Sequence, residues 1–216
     1  MNFSQLSSEI AFRQNAGYCS RFFAALPDPD PVLLKLGKGI DAYRELTSDA
    51  HLYAVIQQRK AGISAMPWHI HASAEMTEFL SFALHSIDIS NLITQLLNAP
   101  LYGYTVVEVV WQKSERNGKV YIVPLSAEEK PQEWFYFDRR NRLIYRGTEH
   151  EQNIPAPPYK FLAAVNNPTY INPYGEKALA RCYWPVIFKK NGLEFWVLFT
   201  ERYGLPFIVG KQPASS

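Results

Sequence analysis

The spacing of apolar residues predicts that the first part of the chain is helical. Between residues 31 and 62, and again between 75 and 98, apolar side chains recur every three or four positions, as they do along one face of a helix. Polar side chains and a glycine mark where these helices begin and end: Asp30 caps the first, Ser48 or Asp49 caps the third, Asp88 or Ser90 caps the last, and Gly62 ends the third. We therefore expect a helical N-terminal part.

Alternation of apolar and polar residues predicts strands in the middle of the chain. Residues 104–111 are rich in β-branched side chains, and Asn117-Gly118, which follows them, is a strong signal for a hairpin turn. Further short runs extend this pattern, so we expect an antiparallel unit of four or five strands over residues 104–165. The segment from Trp68 to His71 also alternates, which predicts a separate strand with its two histidines on one face.

One long helix is predicted at the C-terminal end, over residues 175–203. Apolar positions with helical spacing form a stripe along it: Leu179, Tyr183, Val186, Leu193 and Val197. Pro185 removes a backbone hydrogen bond, and Gly192 costs about 1 kcal/mol relative to alanine in a helix interior. Because the stripe keeps its phase across both residues, we favour one kinked helix over two separate helices.

The charge balance and the cysteine content limit the class of protein. The 216 residues contain 22 lysines and arginines against 20 aspartates and glutamates, so a protein that coats nucleic acid through its overall charge is not expected. The two cysteines, Cys19 and Cys182, stand far apart, which is more typical of reduced thiols than of a disulfide framework. The sequence shows no apolar run of about 18 residues and no signal peptide, so we expect an intracellular protein that does not span a membrane.

Aromatic side chains on the long helix form one candidate contact surface. Five rings lie largely off the apolar stripe: Trp184, Phe188, Phe195, Trp196 and Phe199. A helix of about 28 residues is roughly 40 Å long, longer than a domain of this size covers, so part of it should be exposed in a single chain. Either the sheet of the same chain or a neighbouring subunit must cover these rings.

A turn in the β region carries a second candidate surface, which is basic. Four arginines fall within eight residues: Arg139, Arg140, Arg142 and Arg146. Aromatic residues at 134–137 precede them, and this combination is typical of proteins that stack single-stranded bases on rings and contact phosphates with guanidinium groups. A hairpin tip in solvent also needs charges, and consecutive aromatic residues in a strand must place half of their rings in a core. We favour the solvated tip and keep DNA contact as the alternative.

The sequence lacks the known constellations of catalytic residues. No glycine-rich phosphate loop, Gly-x-Ser-x-Gly turn or His-Glu-x-x-His motif occurs. Glu108, in the middle of a predicted strand, is either a buried catalytic base or a glutamate on the wetter face or paired with an arginine, and we favour the second interpretation. His69 and His71 lack a third ligand nearby. We therefore expect no catalytic residue, no metal site and no cofactor.

Several short motifs together resemble those of the Mu-like phage portal family, which is also known as a domain-of-unknown-function family. In the C-terminal part they are Asn172-Pro-Tyr-Gly175, Arg181-Cys-Tyr-Trp-Pro185, Phe188-Lys-Lys190, Phe195-Trp196, Glu201-Arg-Tyr-Gly204, and Pro206 with Val209-Gly-Lys211. Upstream they are Asp28-Pro-Asp-Pro31, Tyr43-Arg-Glu-Leu46, Ser48-Asp-Ala-His51, Gln58-Arg-Lys-Ala61, and Tyr102-Gly-Tyr104 with Glu108 and Trp111. As a set these matches are specific, and they cover most of the chain.

The resemblance implies a structural protein that assembles as a ring, typically of twelve subunits, at one vertex of a phage head. Double-stranded DNA is packaged and ejected through this ring, which docks the packaging motor and the head and neck proteins. On this basis we expect some of the five rings of the long helix to be buried only between subunits. The protein would then be found in the virion, at the head vertex, or in the cytoplasm of the bacterial host.

Three segments are expected along the chain. Residues 1–27 form an N-terminal arm, which either packs on its own domain or crosses to a neighbouring subunit. Residues 28–211 form a portal-like α+β domain, truncated relative to the longer members of the family, and residues 212–216 form a tail. The alternative function is a small adaptor module that binds nucleic acid or protein without catalysis.

Overall fold

Several helices precede, and one long helix follows, two antiparallel sheets. The computed structural model describes residues 26–138, 140–147, 154–204 and 210. The helices are α1 (Pro31–Leu36), α2 (Asp41–Arg44), α3 (Ala50–Ser64), α4 (Ala74–Ala83), α5 (Ile89–Leu96), α6 (Ala99–Tyr102) and α7 (Ala178–Tyr203). The strands are β1 (Tyr104–Arg116), β2 (Lys119–Lys130), β3 (Phe135–Phe137), β4 (Leu143–Tyr145), β5 (Ile154–Pro155) and β6 (Phe161–Val165). The predicted α+β class, with a helical first part and a long C-terminal helix, is confirmed.

Capping side chains set where the N-terminal helices begin. Asp30 accepts hydrogen bonds from the backbone amides of the first turn of α1, and Asp49 and Asp88 do the same for α3 and α5. Each carboxylate satisfies an amide that has no partner inside the helix, which is worth about 1 kcal/mol. Helix α1 ends at Gly37, whose positive φ of 62° suits a residue without a side chain.

The long hairpin β1–β2 forms the centre of the larger sheet. Its turn is Asn117-Gly118, and both residues have the positive φ that a tight hairpin turn requires. Strand β6 pairs antiparallel with the other edge of β1, giving the order β2-β1-β6. A register shift between Val110 and Trp111 marks a bulge in β1.

The smaller sheet has the order β3-β4-β5, and it packs on the larger sheet through aromatic rings. Phe135 lies 5.3 Å from Phe161 of β6, and Tyr104 of β1 lies 5.6 Å from Phe137, measured between ring centroids. The expected antiparallel strands are confirmed, but the described residues contain six of them in two sheets rather than four or five in one unit. The chain leaves the first sheet at Pro131, which lacks a backbone donor, and a 3₁₀ turn over Gln132–Trp134 redirects it.

One hydrophobic core joins the N-terminal helices, both sheets and the first half of α7. Its members come from distant parts of the sequence: Leu33, Tyr43, Leu46, Ile56, Tyr104, Val106, Phe135, Tyr145, Leu179, Tyr183 and Val186 are among them. Helix α7 therefore begins inside the core.

Two sequence predictions are wrong in detail. Residues 68–71 form no strand, because no strand of either described sheet pairs with them and an alternating pattern needs a hydrogen-bonded neighbour to form a ladder. Helix α3 does not end at Gly62 but continues to Ser64, since one glycine costs only about 1 kcal/mol and the following turn is closed by further backbone bonds. Most of the predicted arm and the predicted tail, residues 1–25 and 212–216, lie outside the described residues.

Candidate subunit interface

A buried ionic cluster holds the start of α7 against the N-terminal segment. Lys177, directly before α7, places its ammonium group 2.8 Å from a carboxylate oxygen of Asp28 and 3.6 Å from one of Asp30. The hydroxyl of Tyr43 donates at 2.7 Å to Asp30 Oδ2, the same oxygen that faces Lys177. Burial and this hydrogen bond raise the pKa of Tyr43, so the tyrosine stays a neutral donor. From the sequence, Asp30 is predicted only as a helix cap, and no pattern indicates Lys177 as a partner of the two aspartates.

Tyr174 fixes the turn that precedes the cluster. Its hydroxyl donates a hydrogen bond to the backbone carbonyl of Leu26 at 2.6 Å and accepts one from the backbone amide of Phe137 at 3.3 Å. Its ring packs edge-on against Phe137 and Tyr104, with centroid distances of 5.0 and 5.8 Å. Burial raises the pKa of Tyr174 to about 12. The turn is thus bound to the N-terminal segment, to β3 and to β1.

Two glycines allow the same turn to approach β1 closely. Gly103 and Gly175 both have positive φ, and a Cβ atom on Gly103 would lie 2.5 Å from the carbonyl oxygen of Tyr174. A Cβ atom on Gly175 would lie 2.5 Å from the carbonyl oxygens of Asn166 and Gly103. No larger residue fits at either position without moving the backbone. The start of α7 is therefore held by close backbone packing as well as by ion pairs.

The buried part of α7 ends about one turn after Pro185. Leu179, Tyr183 and Val186 face the core, and Lys189 makes an ion pair with Asp49 at 2.6 Å. The hydrogen bond from Lys189 holds the pKa of the Asp49 carboxyl below its ordinary value. All residues from 188 to 204 are exposed. The helix continues through Pro185 without a break, as predicted, and its second half projects from the core.

The five predicted aromatic side chains lie on this helix and are exposed in the single chain. Trp184, nearest the core, is 36% exposed, and the other four, Phe188, Phe195, Trp196 and Phe199, are between 62 and 74% exposed. Trp184, Phe188, Phe195 and Phe199 follow one another by four, seven and four positions, so they share one side of α7, opposite the buried stripe. Trp196 lies about 100° around the helix from Phe195. We call these five residues together the aromatic face of α7.

The apolar stripe continues into the projecting half of α7 but is not buried there. Leu193 is 57% and Val197 67% exposed, although both continue the positions that face the core earlier in the helix. Between residues 192 and 199, Glu194 is the only charged residue. A helix that is apolar on all sides is normally buried in a larger assembly. The projecting half of α7 thus has apolar surface on opposite sides.

The arginines of the arginine-rich turn differ in their contacts. Arg142 makes an ion pair with Asp138 at 2.7 Å, and the guanidinium group of Arg146 lies over the ring of Tyr136, 5.4 Å from its centroid. Arg140 is exposed, and Arg139 lies outside the described residues. Two of the three described arginines are therefore engaged with side chains of their own hairpin.

Glu108 does not lie on the wetter face that the favoured interpretation of the sequence expected, and it forms ion pairs with two lysines. Its side chain is fully buried between the ammonium groups of Lys160, at 3.2 Å, and Lys130, at 3.5 Å. Burial and the neighbouring Lys160 lower the pKa of Lys130. Because the three residues come from β1, from the end of β2 and from just before β6, their charges tie the three strands of the larger sheet together.

The described residues include neither a metal-binding cluster nor a membrane-spanning helix. These residues contain no group of three or more histidine, cysteine, aspartate or glutamate side chains placed to hold a metal ion. In the same part of the chain, no helix is both long and apolar enough to cross a bilayer.

Comparison with known proteins gives a consistent family assignment. A family model described as the portal protein of Mu bacteriophage matches residues 40–216. The portal protein of Escherichia phage Mu is 29% identical over 180 residues, which cover 78% of this chain and 34% of that protein. The Mu-like prophage FluMu protein gp29 of Haemophilus influenzae is 23% identical over 176 residues, which cover 76% of this chain and 33% of that protein. The matched region is thus about one third of the length of these relatives.

Proposed function

Because the chain belongs to the family described as the portal protein of Mu bacteriophage, we propose that it is a structural subunit of a phage or prophage portal. In this proposal, copies of the chain assemble side by side as a ring at the vertex of the phage head, typically of twelve subunits. Double-stranded DNA is packaged and ejected through the ring. The ring also docks the packaging motor and the head and neck proteins.

The main structural support for this proposal is the exposed apolar surface on the projecting half of α7. At roughly 200 Å² per aromatic side chain, the exposed fractions of the aromatic face correspond to about 600 Å². A stable protein–protein interface buries about 800 Å² on each partner, so these five rings supply most of one interface. Leu193 and Val197, on the other side of the helix, add further apolar surface.

Apolar surface on two sides of α7 supports a ring rather than a two-fold dimer. A two-fold dimer covers one surface of each copy with the same surface of the other. A cyclic assembly gives every copy two neighbours, one on each side, and so covers both sides of a projecting helix. Burial between neighbours would remove the large exposed apolar area that a lone chain presents to water.

The portal family is structural rather than catalytic. We propose that this chain likewise turns over no nucleotide, ester, peptide or nucleic acid and needs no cofactor. The energy for moving DNA then belongs to the packaging motor. The assembled protein would lie at the head vertex of the virion, after assembly in the cytoplasm of the host.

The experiment that tests the proposal is the particle mass of the 216-residue chain across a range of concentrations. We expect light scattering to show a multiple of the 24.8 kDa chain mass, and negative-stain images to show rings. The variant Phe195→Glu/Trp196→Glu should remain monomeric, because two buried carboxylates in an apolar interface cost several kcal/mol.

A matched control for this variant is Tyr170→Glu/Ile171→Glu, in an exposed loop that precedes α7 in sequence. The control introduces the same charges at an equally apolar surface and should assemble as the unmodified chain does. A chain that stays monomeric at every concentration would contradict the proposed ring. Assembly lost equally in both variants would show that the aromatic face has no special role.

Contact between DNA and the arginine-rich turn requires a separate test. Arg139→Ser/Arg140→Ser leaves intact the two arginines that contact Asp138 and Tyr136. We expect folding and the affinity for a labelled duplex to be nearly unchanged at low and at high salt, because exposed charges contribute little individually. Loss of tight, salt-dependent binding in this variant would instead assign the turn to DNA.

A further inference from the structure

Two apolar side chains stand almost fully in solvent on the loop between β6 and α7. Tyr170 is 87% and Ile171 84% exposed, the highest values among the large apolar residues that the structure describes. The backbone beneath them is fixed, because the amide of Thr169 donates to the carbonyl of Asn172 at 3.1 Å and the amide of Asn172 donates to Thr169 Oγ1 at 3.0 Å. A partner that covers these side chains therefore pays little to order the loop.

The arginine-rich turn contacts this loop directly. The side-chain amide of Asn141 donates to the carbonyl of Tyr170 at 3.2 Å, and Arg140 is the neighbour of Asn141 in the chain. Asp138 is occupied within its own turn, by the backbone amides of Arg140 and Arg142 and by the side chain of Arg142. The guanidinium group of Arg140 is exposed and forms no ion pair with any residue that the structure describes.

The loop and the turn thus place a free cation beside two exposed apolar side chains. We call Arg140, Tyr170 and Ile171 the basic–apolar tip. Residues 166–175 carry no charge, and residues 138–142 carry three arginines against one aspartate, so the surroundings of the tip are positive. A surface of this kind is complementary to a segment that is both acidic and apolar.

We infer that the basic–apolar tip docks a protein partner through an acidic segment with a large apolar side chain next to its carboxylates. A carboxylate of the partner pairs with Arg140, and its apolar side chain covers Tyr170 and Ile171. Tyrosine and arginine are enriched among the residues that dominate interface energies. The inference goes beyond the proposed ring and does not depend on it, because a single chain forms the whole tip.

The chemistry of the tip suits a protein segment better than nucleic acid. Tight binding to a duplex neutralises several phosphates, and each phosphate needs a lysine or arginine. Two other arginines of the turn are engaged, Arg142 with Asp138 and Arg146 over the ring of Tyr136. Bases stack on flat rings, whereas Ile171 offers a branched aliphatic side chain.

A random twelve-residue peptide library displayed on yeast tests the inference. The library is selected for binding to the unmodified chain and against binding to the triple variant Arg140→Ser/Tyr170→Ser/Ile171→Ser. We expect the enriched sequences to combine aspartate or glutamate with leucine or an aromatic residue. Enrichment of basic sequences, of sequences without acidic residues, or of no sequence at all would overturn the inference.

Fluorescence anisotropy of one enriched, labelled peptide measures the contribution of each part of the tip. Tyr170→Ser/Ile171→Ser should weaken binding about tenfold or more, and Arg140→Ser should weaken it severalfold and reduce its salt dependence. The matched control Val120→Ser/Ile122→Ser removes another exposed apolar pair, on β2, and should leave binding unchanged. Equal losses in the control and in the tip variants would overturn the inference.

Charge reversal separates a specific ion pair from general stickiness. Arg140→Glu should lose the acidic peptide but bind the same peptide with its acidic residues replaced by lysine, while Arg140→Lys should keep the original preference. Circular dichroism shows that each variant is folded. Loss of self-assembly in Tyr170→Ser/Ile171→Ser, or loss of binding to labelled single-stranded DNA in that variant, would reassign the tip to another copy or to nucleic acid and overturn the inference. A chain that binds the peptide but never assembles would contradict only the proposed ring.

Discussion

At the residue scale, glycines at two positions are expected to behave in opposite ways. Gly103 has a φ of +91°, and a Cβ atom there would clash with the carbonyl oxygen of Tyr174. We expect Gly103→Ala to lower the free energy of unfolding by about 3 kcal/mol, since the substitution forces strain into a packed turn. Urea unfolding of the dilute monomer measures this change.

Gly192→Ala is the matched control for that substitution. Gly192 lies in the exposed half of α7, where an added Cβ atom meets no other atom within 4 Å. Alanine should therefore stabilise the helix by about 1 kcal/mol. Equal effects at the two positions would show that the turn before α7 is not closely packed.

The buried carboxylate of Glu108 gives a second prediction at this scale. Glu108→Gln leaves the ammonium groups of Lys130 and Lys160 without their shared negative charge, and breaking a buried pair in this way costs about 3–5 kcal/mol. Glu128→Gln, at the exposed position opposite Glu108 in the hairpin, should change the free energy of unfolding by less than about 0.5 kcal/mol. A similar small effect for both would contradict the structural role of the cluster.

Residues whose role depends on neighbours in sequence could be predicted, and those that depend on distant partners could not. Asp49 caps α3 and Asn117-Gly118 forms the hairpin turn, as their local chemistry indicates. The sequence favours a wetter face or an arginine partner for Glu108, because alternation says nothing about Lys130 and Lys160, which only the folded sheet brings near it. For the same reason, the sequence does not indicate that Lys177 pairs with Asp28 and Asp30.

At the element scale, acid should loosen the attachment of α7 to α3. The pKa of Asp49 lies below its ordinary value of 3.8, chiefly because Lys189 donates a hydrogen bond to it. A carboxyl group with a lowered folded-state pKa stabilises the protein above the unfolded value, and this contribution is lost as the pH falls through the folded value. Lys189→Met should therefore lose less stability than the unmodified chain as the pH falls below about 4.

Lys190→Met is the control for this acid effect. Lys190 contacts the hydroxyl of Ser48, which does not titrate in this range, so the variant should keep the pH dependence of the unmodified chain. Urea unfolding at several pH values measures both variants. Identical acid profiles for Lys189→Met and the unmodified chain would contradict the role of the ion pair.

The order and type of the main elements and the β1–β2 hairpin followed from sequence patterns, whereas the pairing of strands distant in sequence did not. The phase of the apolar stripe predicted one helix across Pro185, and α7 confirms it. The stripe could not show where burial stops, because Leu193 and Val197 match Leu179 in character and spacing yet are exposed. The segment 68–71 alternates like a strand but pairs with no strand of the two described sheets, and strand partners are a property of the whole fold.

At the scale of the whole molecule, α7 has a rigid base and a projecting end. Its base is fixed by the cluster around Lys177, by the glycine contacts and by the core residues Leu179 and Tyr183. Its end presents apolar side chains on opposite sides, which water does not favour. A fixed helix with an apolar end is suited to join copies of the chain in a defined geometry, as the proposed ring requires.

Oxidative footprinting at low and high protein concentration tests directly whether the aromatic side chains of α7 become buried between copies of the chain. Peptides that contain Phe195, Trp196 and Phe199 report the projecting end of α7, and the peptide with Tyr170 and Ile171 reports an exposed loop outside the interface. We expect that oxidation of the three α7 rings falls severalfold as copies assemble, while oxidation of the loop peptide is unchanged. Equal oxidation of the α7 rings at both concentrations, in a sample whose mass shows assembly, would contradict it.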